Sequence, residues 1–73
     1  MKKELCFYDF TQLTEEQQYD LTFRFADFLK HRTSGRYKYV LYRLNNFFVE
    51  ILYNSAANEV IQLTSYLDVK PNN

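Results

Sequence analysis

Four residue types that usually punctuate a fold are almost missing: the chain has one cysteine, one glycine, one proline and no tryptophan. A lone cysteine, Cys6, excludes an internal disulfide and any cysteine-rich zinc site. A lone glycine, Gly35, excludes the glycine-rich loops that cradle phosphates. There is no excess of either charge, the formal net charge being zero, which argues against bulk electrostatic attachment to nucleic acid or to a membrane surface. Long apolar runs are missing too. Nothing approaches the ~20 residues of a membrane span. Met1-Lys2-Lys3 leads into Glu4 and Asp9 without the apolar run of about 7–15 residues that a signal peptide needs. Internal repeats and low-complexity tracts are also absent. A cytoplasmic protein is the expectation.

What the chain has instead is aromatic mass, seven Tyr and seven Phe in 73 residues. That length supports one domain, residues 1–73, which buries only about 60% of the surface its unfolded chain exposes. Each buried ring removes ~150–250 Å² from water. These rings exceed what one small core needs, so some are expected on an exposed or shared surface. A homodimer, or a complex with another protein, follows as the expected state.

The strongest local pattern is a hairpin over Tyr37–Tyr53. Two apolar runs, 37–44 and 47–53, flank Asn45-Asn46, and asparagine tolerates the positive φ of a tight hairpin turn. That turn sets Leu44 against Phe47, Tyr42 against Val49, Val40 against Ile51 and Lys38 against Tyr53, one mostly apolar face. Tyr37, Tyr39, Leu41 and Arg43 then share the opposite face with Phe48, Glu50 and Leu52. Upstream, Thr14-Glu15-Glu16-Gln17 is a capping box with acids in the first turn, predicting a helix over about 14–26. Its apolar residues form two stripes, Leu21/Phe25 and Tyr19/Phe23/Ala26, so two buried sides are expected.

Residues 27–33 read as a strand because Ser34-Gly35 supplies a turn signal, with a helix continuing to Thr33 as the alternative. With Ser34-Gly35 as the turn, Leu29 faces Val40 on the core side, while Phe28, Lys30 and Arg32 join the tyrosine-rich face. Residues 60–66 form a fourth strand candidate. An even connecting loop would turn Val60, Gln62 and Thr64 inward; the expectation is an odd loop with a bulge, which places the better residues, Ile61 and Leu63, inside. Phe7, Phe10 and Leu13 suit a helical turn, although Leu5/Phe7 equally fits a short strand. Residues 68–73 read as a mobile tail.

The ordered set Thr14-Glu15-Glu16-Gln17, Phe28-Leu29-Lys30-His31-Arg32, Leu41-Tyr42-Arg43-Leu44, Phe47-Phe48-Val49-Glu50-Ile51 and Asn58-Glu59-Val60-Ile61 resembles a family of small uncharacterised proteins of Bacteroidota. Its members pair an acidic helix with "TFLAxR", "LYxL" and "FYVEV" strands, and the likeness covers roughly residues 10–66. It implies a bacterial protein with a strand rather than a helix at 27–33. This chain has Ala26-Asp27 where relatives carry Gly-Thr, and it stops at Asn73 where they continue. The resemblance implies a fold and no chemistry.

The expected architecture is therefore α+β, an N-terminal helix packed on one face of a four-stranded antiparallel meander. The candidate interaction surface is the uncovered face: Phe28, Lys30, Arg32, Tyr37, Tyr39, Leu41, Arg43, Phe48, Glu50 and Leu52. Rings beside cations on an open sheet also suit single-stranded RNA, with bases on rings and phosphates on Lys and Arg. Zero net charge and the acid Glu50 within the patch weigh against that reading.

Chemistry is harder to assemble. Cys6 has acids for charged neighbours, whereas an activated thiol needs cations. His31 is the sole histidine, with no partner at metal-ligand spacing, and reads as a solvated residue between Lys30 and Arg32. Glu50 among rings is the kind of carboxylate that serves as a general acid, but Asp27, its candidate partner, faces the other way in the expected register. The expectation is a non-enzyme with no cofactor, no metal, no small-molecule substrate and no membrane.

Overall fold

The computed structural model describes residues 5–67, which form α1 (Phe7–Thr11), α2 (Glu15–Phe25) and four strands, β1 (Asp27–Ser34), β2 (Tyr37–Leu44), β3 (Phe47–Asn54) and β4 (Glu59–Leu67). The strands form one antiparallel sheet in the order β1-β2-β3-β4. This is the α+β meander expected, with both helices on one face. The strand alternative for residues 27–33 holds. The mobile tail expected at 68–73 lies outside the described residues.

Helix α2 starts where the capping box places it. The Gln17 amide donates to the Thr14 hydroxyl at 3.1 Å, and the Thr14 amide donates to the Gln17 side-chain carbonyl at 3.0 Å. Two otherwise orphaned donors are thereby satisfied. Of the two readings open for the segment before it, the helical one holds, over Phe7–Thr11. Phe10, fully buried, projects from α1 onto Phe47, with ring centroids 5.1 Å apart. The side chain of Gln18 reaches back from α2 to donate to the Phe10 carbonyl at 2.8 Å, tying the two helices together.

The core is small: Phe10, Val40, Leu44, Phe47, Val49 and Ile51, with Thr22 as the buried polar residue. Five of these come from the β2–β3 face deduced from the Asn45-Asn46 turn, and each of its four pairs occurs as expected. Asn45 takes the positive φ of +56°. Its side-chain amide also donates to the Leu5 carbonyl, clamping the N-terminal segment over the turn. Thr22 is accommodated because its hydroxyl donates to the Gln18 carbonyl at 2.8 Å.

Two corrections concern the outer strands. The first turn uses Gly35-Arg36 rather than Ser34-Gly35, with Gly35 at φ +62°. Ser34 therefore pairs with Tyr37, and Lys30 and Arg32 with Leu41 and Tyr39. A bulge at Leu29 then inverts the rest of the strand, so Phe28 pairs with Tyr42 on the helix side and Asp27 with Arg43 on the open side. Phe28 thus leaves the face assigned to it, Leu29 does not face Val40, and Asp27 joins the face of Glu50. At the other edge the loop is even, Ser55 to Asn58 between paired Asn54 and Glu59. A bulge at Ile61 restores Leu63 to the core side opposite Ile51. The bulge was expected; the even loop and the exposure of Ile61 were not.

The helical layer is narrower than the sheet. Helix α2 lies against β2 and α1 against β4, while every residue of β1 is exposed. The two-sided burial expected of α2 is correspondingly reduced. Tyr19 and Leu21 are half-buried, whereas Phe23 and Phe25 stay exposed.

Candidate interaction surface

The registers assemble the open face into rows that cross all four strands, three of them lying inward of the end row Ser34, Tyr37, Asn54 and Glu59. Arg32, Tyr39, Leu52 and Gln62 form one row, Lys30, Leu41, Glu50 and Thr64 the next, and Asp27, Arg43, Phe48 and Tyr66 the third. Cross-strand neighbours lie close enough to interact directly. The Arg32 guanidinium carbon sits 3.9 Å from the centroid of the Tyr39 ring, and that of Arg43 lies 6.0 Å from the Phe48 centroid. Arg43 also donates through Nε to the Asn45 carbonyl at 3.3 Å. Phe48 and Tyr66 are tilted rings with centroids 5.7 Å apart.

Nine of the ten expected surface residues share this face, with Tyr37 at its end opposite Ser34 and Asn54. Phe28 is the one the β1 bulge removes. Tyr66 was absent from the expected set. The signal for it was its alternation with Thr64 and Gln62, opposite in phase to the Leu63 expected inside.

A shallow depression of about 310 Å³ lies over the first two rows, lined by Lys30, Arg32, Tyr39, Leu41, Glu50 and Tyr66 together with His31. The ring of His31 belongs to the other face, since His31 pairs with Val40. Its centroid is 6.1 Å from that of Phe28. Glu50 and His31 are therefore not brought together as side chains. Asp27 does share the face of Glu50 but lies two strands away and displaced along the sheet. Among the described residues no three His, Cys, Asp or Glu side chains are placed to hold a metal ion. Cys6 is exposed, and its thiol donates to the Asp9 carboxylate at 3.3 Å.

The helix side carries a second aromatic group that had not been anticipated as a unit. Tyr19 and Phe23 stack at 6.2 Å, while Phe23 and Phe28 each meet Tyr42 edge-on at 6.3 and 6.4 Å. The i, i+4 spacing of Tyr19 and Phe23 was legible, but the arrival of Phe28 depends on the bulge. Deeper in this layer, burial and a hydrogen bond with Tyr42 push the Tyr53 hydroxyl up to about 12. Tyr19 is raised as well, first by burial and then by the nearby Glu15 carboxylate.

Among the described residues no helix is long and apolar enough to cross a membrane. Comparison with protein-family models, with curated proteins and with solved structures found no match to this chain.

Proposed function

We propose that this is a non-catalytic protein-interaction module of the cytoplasm that works as a homodimer and offers its open sheet face to a protein partner. The observation that supports it is an imbalance of apolar surface. Among the described residues six hydrophobic side chains are buried, while ten large ones remain between 40% and 69% exposed. Isolated apolar residues are ordinary on any surface, but here they outnumber the core in a chain already short for independent stability. Self-association removes such surface from water without enlarging the chain. The open face adds directional contacts, with Arg32 and Arg43 held beside Tyr39 and Phe48.

The test is light scattering after gel filtration across a range of micromolar concentrations. The expected mass is twice that of the 8.9 kDa chain; a monomer at every concentration defeats the proposal. The Tyr39→Ala/Arg43→Ala double variant separates the two roles. It is expected to remain folded by circular dichroism while losing capture of the partner. Unfolding of the double variant would mean that this face belongs to the core.

A further inference from the structure

The two edges of the sheet are unequally defended. Unpaired backbone N–H and C=O groups along an edge invite another strand, and proteins discourage this with charges and bulges. On β1, Lys30 and Arg32 occupy the open face and His31 the helix face, and the bulge at Leu29 breaks the ladder. Two β1 strands side by side would bring together the Lys30 and Arg32 cations of both copies. Within β4 the only charge is Glu59, at the strand's first residue, and Val60 to Leu67 carry none. The bulge at Ile61 lies near the start of β4 and leaves six consecutive regular pairs, Gln62 to Leu67.

We infer that two copies of this chain join by antiparallel pairing of β4 with β4 across a two-fold axis at Ser65, making one continuous eight-stranded sheet. This rests on the self-association proposed above and assigns its seam. With Ser65 opposite its symmetry mate, Leu63 of one copy faces Leu67 of the other on the helix side, twice over. Thr64 faces Tyr66 on the open side in the same way. Leu67, 45% exposed in the single chain, gains an apolar neighbour in this arrangement. The two Glu59 residues fall at opposite ends of the seam, roughly 40 Å apart at ~3.3 Å per residue, so neither opposes the other. A two-fold seam is also closed: each copy uses its one undefended edge, and the charged β1 edges become the outer borders of the dimer. The open faces then lie side by side and remain free.

Hydrogen exchange on the full chain reads the seam directly. Along an edge strand only alternate amides are hydrogen-bonded, whereas in an interior strand all are. Protection of every amide from Leu63 to Leu67, beside alternating protection along β1, is the expected result. Alternating protection along β4 in a sample of dimer mass overturns the seam.

Proline variants give a second reading. Successive N–H groups point to opposite sides of a strand, so one of Thr64→Pro and Ser65→Pro removes an outward donor and leaves the ladder to β3 intact. That variant should stay folded and scatter light at half the wild-type mass. Should both variants unfold, Thr64→Lys decides, because it sets two lysines beside the axis at an exposed position. A monomer supports the seam and a dimer overturns it. If the folded β4 variants stay dimeric while Tyr39→Ala/Arg43→Ala becomes monomeric, the seam is wrong and self-association stands. A wild-type monomer at every concentration removes both.

Discussion

Replacing Phe10 with alanine tests how the N-terminal segment is held. Phe10 is fully buried, belongs to a helix of five residues, and joins the core cluster of Leu44, Phe47, Val49 and Ile51, with its ring against Phe47. So short a helix has no independent stability, so its conformation depends on that docking. Removing a buried phenylalanine side chain typically costs about 3–5 kcal/mol, through lost transfer energy and an unfilled cavity. A chain of 73 residues has roughly 4–11 kcal/mol of stability at the usual ~0.05–0.15 kcal/mol per residue. The substitution therefore consumes about a quarter of the total or more, up to all of it. Urea denaturation, followed by far-ultraviolet circular dichroism and tyrosine fluorescence at one fixed concentration, is the suitable assay. Tyr8→Ala is the internal control, because Tyr8 sits in the same helix but is 69% exposed and should change stability by no more than about 0.5 kcal/mol. If Phe10→Ala costs less than about 1 kcal/mol, or no more than Tyr8→Ala, the docking described here is wrong.

Thr14→Ala removes one half of the capping box and should lower stability by about 1 kcal/mol in the same urea assay, with no change in oligomeric mass. Gly35→Ala forces a side chain into positive φ and should cost about 1–2 kcal/mol, although its Cβ meets nothing within 4 Å, so Gly35→Asn should recover part of the loss. The Tyr53 phenol is raised from 10 to about 12 on folding, so the unfolded chain ionises first. Its stabilising contribution is complete below pH 10 and disappears as pH rises toward 12; thermal melts over that window should show Tyr53→Phe losing less stability than wild type.

How much of this was legible depends on which interactions set each element. The β2–β3 pairing could be read residue by residue because a two-residue turn leaves one register, and because Val40, Leu44, Phe47, Val49 and Ile51 would all be expelled from the core by a slip of one. The start of α2 was legible because a capping box is a local hydrogen-bonding device. The outer strands were not fully legible. Asp27–Ser34 contributes no buried residue, so no core requirement fixed its phase. The bulge at Leu29 has neither glycine nor proline to announce it, and it moved Phe28 and Asp27 to faces opposite those expected. Tyr66 differs at the other edge: the inward phase expected of Leu63 already turns Thr64 and Tyr66 to the open face, and the structure keeps that phase. Phe10 fell within a segment of two open readings, and only its tertiary contact with Phe47 separates them.

The meander has a kinetic consequence. Each strand pairs only with its neighbours in sequence, so the sheet assembles through a succession of short loop closures, each with a small entropic barrier. The β2–β3 hairpin, with its two-residue turn and most of the core on one face, is the natural nucleus. The contacts made by the N-terminal segment are of another kind. Asn45 binds the carbonyl of Leu5, forty positions away in the chain, and Phe10 reaches Phe47 across a similar span. Their formation waits for a sheet to dock upon. Substitutions at Phe10 should therefore accelerate unfolding and leave the folding rate nearly unchanged, whereas substitutions at Val49 should slow folding.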